Sequence, residues 1–200
     1  MMNGTTDTLM VNGTGTVPNQ NQNQTHDSNA SPPKPDPSSL SSATLDFAAR
    51  MFDTARQGNS ELLLAAIDAG LPVNLTNHQG NTLLMLSSYA GHLDLSRELL
   101  SRGADTERLN NAGQSILAGT VFKGHHALVR LLVEHGANPR HGKPNAIESV
   151  WMFVNDEQGS GEGEDRKMGR RELLDLMGAK EEDKERMERE GVRLGPPGSG

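Results

Sequence analysis

Two hundred residues suffice for one domain, or for a small domain with tails, and 34% hydrophobic residues with 22 Gly sit at the low edge of globular composition. A net charge of −7 without a concentrated basic face works against binding a phosphate backbone. The absence of cysteine removes disulfides, thiolate nucleophiles and cysteine-based zinc sites, and no stretch approaches the ~18 apolar residues of a membrane span.

The chain starts Met1-Met2-Asn3-Gly4, with no basic region and no apolar run, so no signal peptide is expected. A cytoplasmic or nuclear location is the matching expectation, and the sequons at Asn3, Asn12, Asn23 and Asn74 are then read as chance. Residues 1–42 hold the amide run Asn19-Gln20-Asn21-Gln22-Asn23-Gln24 and the cluster Pro32-Pro33-Lys34-Pro35-Asp36-Pro37. Such stretches bury too little apolar surface to offset chain entropy, so this arm is expected to be disordered. Pro32 to Pro35 forms a P-x-x-P step that a polyproline-reading domain could take; here it is read as linker.

Residues 43–154 are rich in Leu, Ala, Val and Ile and are expected to hold the core. Three glycine series share one period: Gly58, Gly91 and Gly124; Gly70, Gly103 and Gly136; Gly80 and Gly113, each 33 residues apart. Between the first two series run three matching segments, 59–69, 92–102 and 125–135, with apolar residues at helical spacing and a glycine suited to a left-handed C-cap. A shorter helix precedes each: Leu45 to Gln57, Thr82 to Ala90 and Ser115 to Lys123. The polar linkers Asn74–Asn81 and Glu107–Gln114 suit turns. The unit is therefore turn, helix, tight loop, helix, extended return.

With Gly91-His92, Leu99-Leu100 and Gly103-Ala104-Asp105 in this period, the chain resembles the ankyrin-repeat family over about half of its length. The resemblance implies an all-α solenoid of stacked helix-turn-helix units with short turn fingers. It also implies that His92 and His125 tie adjacent loops together. The family's T-P-L-H tetrapeptide reads Thr82-Leu83-Leu84-Met85 and Ser115-Ile116-Leu117-Ala118, without its Pro or His, which suggests a less rigid array than a consensus one.

A fourth unit looks split. Ala146 to Phe153 reads as its first helix, residues 155–169 as an acidic Gly-rich loop, and residues 170–179 as the late second helix of a C-terminal cap. Leu45 to Ala69 would cap the other end. Residues 180–200 form a charged tail. Within it, 180–190 favours helix, with Glu182–Arg186 and Glu185–Arg189 spaced for i,i+4 pairs. Having no apolar face, it is expected to be a solvated helix or a frayed tail.

No catalytic constellation emerges. Nothing resembles G-x-S-x-G, Gly159–Gly163 lacks the strand and Lys-Ser/Thr of a phosphate loop, and the adjacent His125-His126 cannot share one ligand site on a helix. No enzyme activity, cofactor or metal is expected. The function expected is protein–protein interaction, as an adaptor or scaffold binding another protein through a concave face. The alternative is a dedicated regulatory or inhibitory subunit that masks an enzyme's site. No direct nucleic-acid or membrane partner and a monomeric state go with this reading. In the ankyrin pattern the residues before the Gly-His step project into the concave face: Arg56-Gln57, Tyr89-Ala90 and Phe122-Lys123. Arg56, Tyr89 and Phe122 share one register, whose next rung would be Asn155. Tyr89 and Phe122 either contact a partner or lean sideways to fill gaps between repeats. The turn tips His78, Gln79, Asn81, Asn111, Ala112 and Gln114 could join the surface.

Overall fold

The computed structural model describes residues 41–155, 161–163 and 166–191, all within one unit, Leu40–Gly200. The disorder expected for 1–40, the rest of the 155–169 loop and the tail after 191 lie outside the described residues. Within them the chain forms α1 (Ser42–Gln57), α2 (Ser60–Asp68), α3 (Leu83–Ala90), α4 (Leu93–Ser101), α5 (Ile116–Lys123), α6 (His126–Glu134), α7 (Ala146–Phe153), α8 (Arg170–Leu176) and α9 (Glu181–Arg189). The described residues contain no strand. Isolated antiparallel bridges, Thr76 to Thr82 and Leu109 to Ser115, close the base of two turn fingers.

Local chemistry sets the helix ends. The side chains of Thr82 and Ser115 each accept the backbone N–H three residues on, at 3.1 and 3.2 Å, satisfying a donor that the first turn would otherwise leave bare. Asn145 does the same for α7 and completes a capping box with Glu148. At the other end Gly58, Gly91 and Gly124 take left-handed backbone and stop α1, α3 and α5.

Two rows result. Helices α1, α3, α5 and α7 pack side by side, each backed by its partner α2, α4, α6 or α8. Leu63, Leu83, Leu99, Leu132, Ile147 and Leu173 are fully buried between the rows. Small hydroxyls let helices approach closely: Ser87 and Ser88 each bond Ser96, at 3.0 and 3.2 Å, with all three buried. At the first unit Leu62 is 44% exposed, whereas Leu95 and Leu128, one and two periods on, are 2% and 1% exposed. No helix pair precedes it among the described residues, so the side that later units bury stays open.

The units are also cross-linked by polar groups that keep the period. His92 Nε2 donates to the Arg56 carbonyl at 2.8 Å, and His125 Nε2 to the Tyr89 carbonyl at 3.2 Å. The Asn74 side chain accepts the Asp105 N–H at 2.8 Å; one period on, Glu107 accepts the Asn138 N–H at 2.7 Å.

The C-terminal end corrects the sequence in two places. Helix α7 has the same eight residues as α3 and α5 but starts 30 rather than 33 residues after α5, at the Asn145 capping box, and so ends at Phe153, closed by extended Val154. Asn155 therefore falls beyond the helix, where its carbonyl accepts the Arg170 N–H, and it forms no rung. Helix α9, expected to be solvated or frayed, is held against the array. Met187 is fully buried, Asp183 is 6% exposed and takes both arms of the Arg140 guanidinium at 3.0 and 2.7 Å, and Arg186 reaches Glu148 at 3.3 Å. Arg140 holds the Asp183 carboxyl below the usual carboxylate range, against the upward pull of burial. Its stabilisation is therefore complete above the unfolded value near ~3.9 and is lost as pH falls through the lower folded value. Asp183→Asn is expected to cost about 1–2 kcal/mol of α9 docking, given a half-exposed arginine partner. Amide exchange over 181–189 should rise roughly tenfold while α4 stays protected.

Helix α8 is anchored by a second polar contact, the Met168 N–H donating to His126 Nδ1. Burial, then the charges of Arg130 and Lys167 and of His125, lower the His126 pKa; Glu172 opposes them. A lowered pKa means the unfolded chain binds the proton first. The contact stabilises fully above about pH 6.5, the unfolded value, and weakens as pH drops below it. Amide exchange over 168–177, corrected for intrinsic rate, should be faster at pH 5.5 than at pH 7.5, with 93–101 unaffected.

Candidate functional site

The two fingers, the inner helices α3, α5 and α7, and the segment before α7 enclose an open trough of about 900 Å³. Tyr89 and Phe122 stand in it at 48% and 52% exposure, well above what core residues of their size show. Each sits near the end of its helix, and the Tyr89 ring edge lies against Gly119 of the next helix in the row. Lys123 holds its ammonium 5.1 Å from the Tyr89 ring centroid. Phe122 meets Phe153 edge to face, centroids 4.9 Å apart at 83°. Phe153 thus takes the place that the register assigned to Asn155.

The fingers form the polar wall. Asn77 Oδ1 accepts the N–H of Gln79 and Asn81, and Asn110 Oδ1, 33 residues later, accepts those of Ala112 and Gln114. Each is an Asx-type turn, which explains why Asn suits both positions. Asn111 links the fingers through its N–H to the Gln79 carbonyl at 2.9 Å and its amide to the His78 carbonyl at 2.9 Å. A Cβ on Gly80, whose φ is +77°, would lie 2.5 Å from Asn111 Oδ1, so the close approach needs glycine.

Of the residues singled out from sequence, His78, Gln79, Asn81, Tyr89, Asn111, Ala112, Gln114 and Phe122 line the trough. Arg56, Gln57, Ala90 and Lys123 are exposed but do not line it. Arg56 pairs with Asp53 at 2.6 Å, and the first unit brings no finger of its own. The floor was missed: Leu86 and Gly119, with Met152 continuing their 33-residue step, and Met85 with Ala118 beside them. Leu86 and Gly119 each lie one helical turn before Tyr89 and Phe122, so the register that located that pair could have located them too. Pro144, Ser149 and Phe153 carry no such signal, because the fourth unit departs from the period.

No group of three or more His, Asp or Glu side chains placed to hold a metal occurs among the described residues, and no helix there is long and apolar enough to cross a membrane.

Residues 51–142 match the family model for ankyrin repeats, in three copies. An ankyrin repeat protein of Pseudomonas aeruginosa is 52% identical over 58 residues, 29% of this chain and 34% of the relative. Human ankyrin repeat domain-containing protein 29 is 46% identical over 55 residues, 27% of this chain and 18% of the relative. Acyl-CoA-binding domain-containing protein 2 of Arabidopsis thaliana is 39% identical over 51 residues, 26% of this chain and 14% of the relative. The chain thus spans about a third or less of these relatives. Among solved structures, the human ASB11 ankyrin repeat domain aligns with a TM-score of 0.46 at 26% identity, covering 50% of this chain and 46% of that one. The chain carries ankyrin repeats, which are a protein–protein interaction module. Helices α7 and α8 lie beyond the matched residues.

Proposed function

We propose that this ankyrin-repeat chain is an adaptor or scaffold that binds a partner protein in the trough between its fingers and inner helices, without catalysis. The observation that carries the reading is the placement of Tyr89 and Phe122. They are two of the chain's five Phe and Tyr residues, and both stand exposed in the trough of about 900 Å³. A residue that merely filled a gap between repeats would be covered; these are about half exposed. Exposed aromatics convert to binding free energy efficiently because they bury much area for few rotors. A cytoplasmic or nuclear site of action and a monomeric state complete the proposal.

The test is a Tyr89→Ala/Phe122→Ala double variant, used only after its thermal melt matches that of wild type. Loss of partner capture from cell extract by 30-fold or more is expected, since a hot-spot residue contributes about 2 kcal/mol or more. Undiminished capture by the folded variant would move the interface elsewhere. A variant that unfolds would show the pair to be core.

A further inference from the structure

The chemistry of the trough narrows what fills it; this inference rests on the reading just proposed. No lining residue is an Asp, Glu, Lys or Arg, although the chain carries 45 such residues. The cation at the rim, Lys123, is set over Tyr89. A charged group entering this space would shed water without meeting a counter-charge, which is costly. The part of the partner that reaches the floor is therefore uncharged.

The finger amides add a direction. Asn110 Oδ1 accepts two backbone N–H groups, which fixes that amide's orientation. Its Nδ2 then donates to Asn81 Oδ1 at 3.0 Å and to Gln114 Oε1 at 2.9 Å. Asn81, its oxygen occupied, donates through Nδ2 to Gln79 Oε1 at 3.1 Å. The chain of bonds runs one way and consumes side-chain oxygens as it goes. It ends on the Nε2 groups of Gln79 and Gln114, two pairs of N–H donors at the lip of the trough. The partner must supply acceptors there, and a polypeptide backbone brings carbonyl oxygens at regular spacing without bringing charge.

We propose that the trough takes an extended, uncharged segment of a partner protein. The segment lays a bulky apolar side chain between Tyr89, whose ring edge lies against Gly119, and Phe122, and turns backbone carbonyls to Gln79 and Gln114.

A random dodecapeptide library displayed on phage, selected on the full chain, tests this. Clones kept by wild type and lost on the folded Tyr89→Ala/Phe122→Ala variant are the trough binders. They are expected to lack Asp, Glu, Lys and Arg around one aromatic or large aliphatic residue. As synthetic peptides they should bind within twofold at 50 and 500 mM NaCl, and at least fivefold more weakly to Gln79→Glu/Gln114→Glu. Trough binders that are charged, whose affinity falls steeply with salt, or that ignore the Gln→Glu pair would overturn the uncharged-segment proposal and leave the trough reading standing. A selection without any clone dependent on Tyr89 and Phe122 overturns both.

Discussion

Leu99→Ala is expected to destabilise the array by about 2–5 kcal/mol. Leu99 is fully buried in α4, which packs on its own partner α3 and on α2 and α6 to either side. Removing three carbons there loses their transfer free energy and leaves a cavity, because helices held on three sides cannot collapse into it. The position also matters for a reason special to stacked repeats. Stability in such an array is close to a sum of intrinsic and nearest-neighbour terms, so a lesion in a central unit weakens two interfaces at once. Leu62→Ala is the control, since Leu62 is a leucine of the outer helix in the first unit but is 44% exposed. Urea melts followed by circular dichroism should give a shift for Leu99→Ala several times that for Leu62→Ala. Equal shifts would mean that the second unit is not packed as described.

The second large effect is at a glycine. Gly91 closes α3 with φ at +91°, and a Cβ there would lie 2.8 Å from His125 Cε1. Gly91→Ala therefore carries two costs: left-handed strain of about 1–2 kcal/mol, and displacement of a ring whose Nε2 donates to the Tyr89 carbonyl, worth about 0.5–1.5 kcal/mol. A total near 2–3 kcal/mol is expected. Gly103→Ala separates the two, because Gly103 has φ at +83° with nothing within 4 Å of the added Cβ. It should lose only the strain. Combining Gly91→Ala with His125→Ala should cost less than the sum of the two single changes, since the ring that clashes has been removed. Strict additivity would separate the glycine from the histidine.

How much of this was legible beforehand follows from which interactions repeat. The 33-residue glycine period and the helices between its members are written three times over and the loop-tying histidines twice, so each copy supports the others. Tyr89 and Phe122 could be placed in the concavity by the same register. What does not repeat was lost. The position of α7, which puts Phe153 rather than Asn155 against Phe122, depends on a connection before it that is three residues shorter than the one before α5. The docking of α9 depends on Arg140 finding Asp183 across 43 residues and on one methionine, Met187. A search for an apolar face counts side chains along the helix and finds too few. The contact is made instead by an ion pair whose halves lie far apart in sequence, and Arg186, expected to pair within the helix, reaches Glu148 on α7.

The most direct test of the central claim is site-specific photocrosslinking in cells, with p-benzoylphenylalanine at position 122 in the trough or at position 134 at the exposed end of α6. The ring at 122 keeps an aromatic group where Phe122 stands, so the variant should still bind. Crosslinking of a discrete partner from 122 and not from 134 is the expected result. A partner trapped from 134 while 122 stays silent would contradict the trough as the interface.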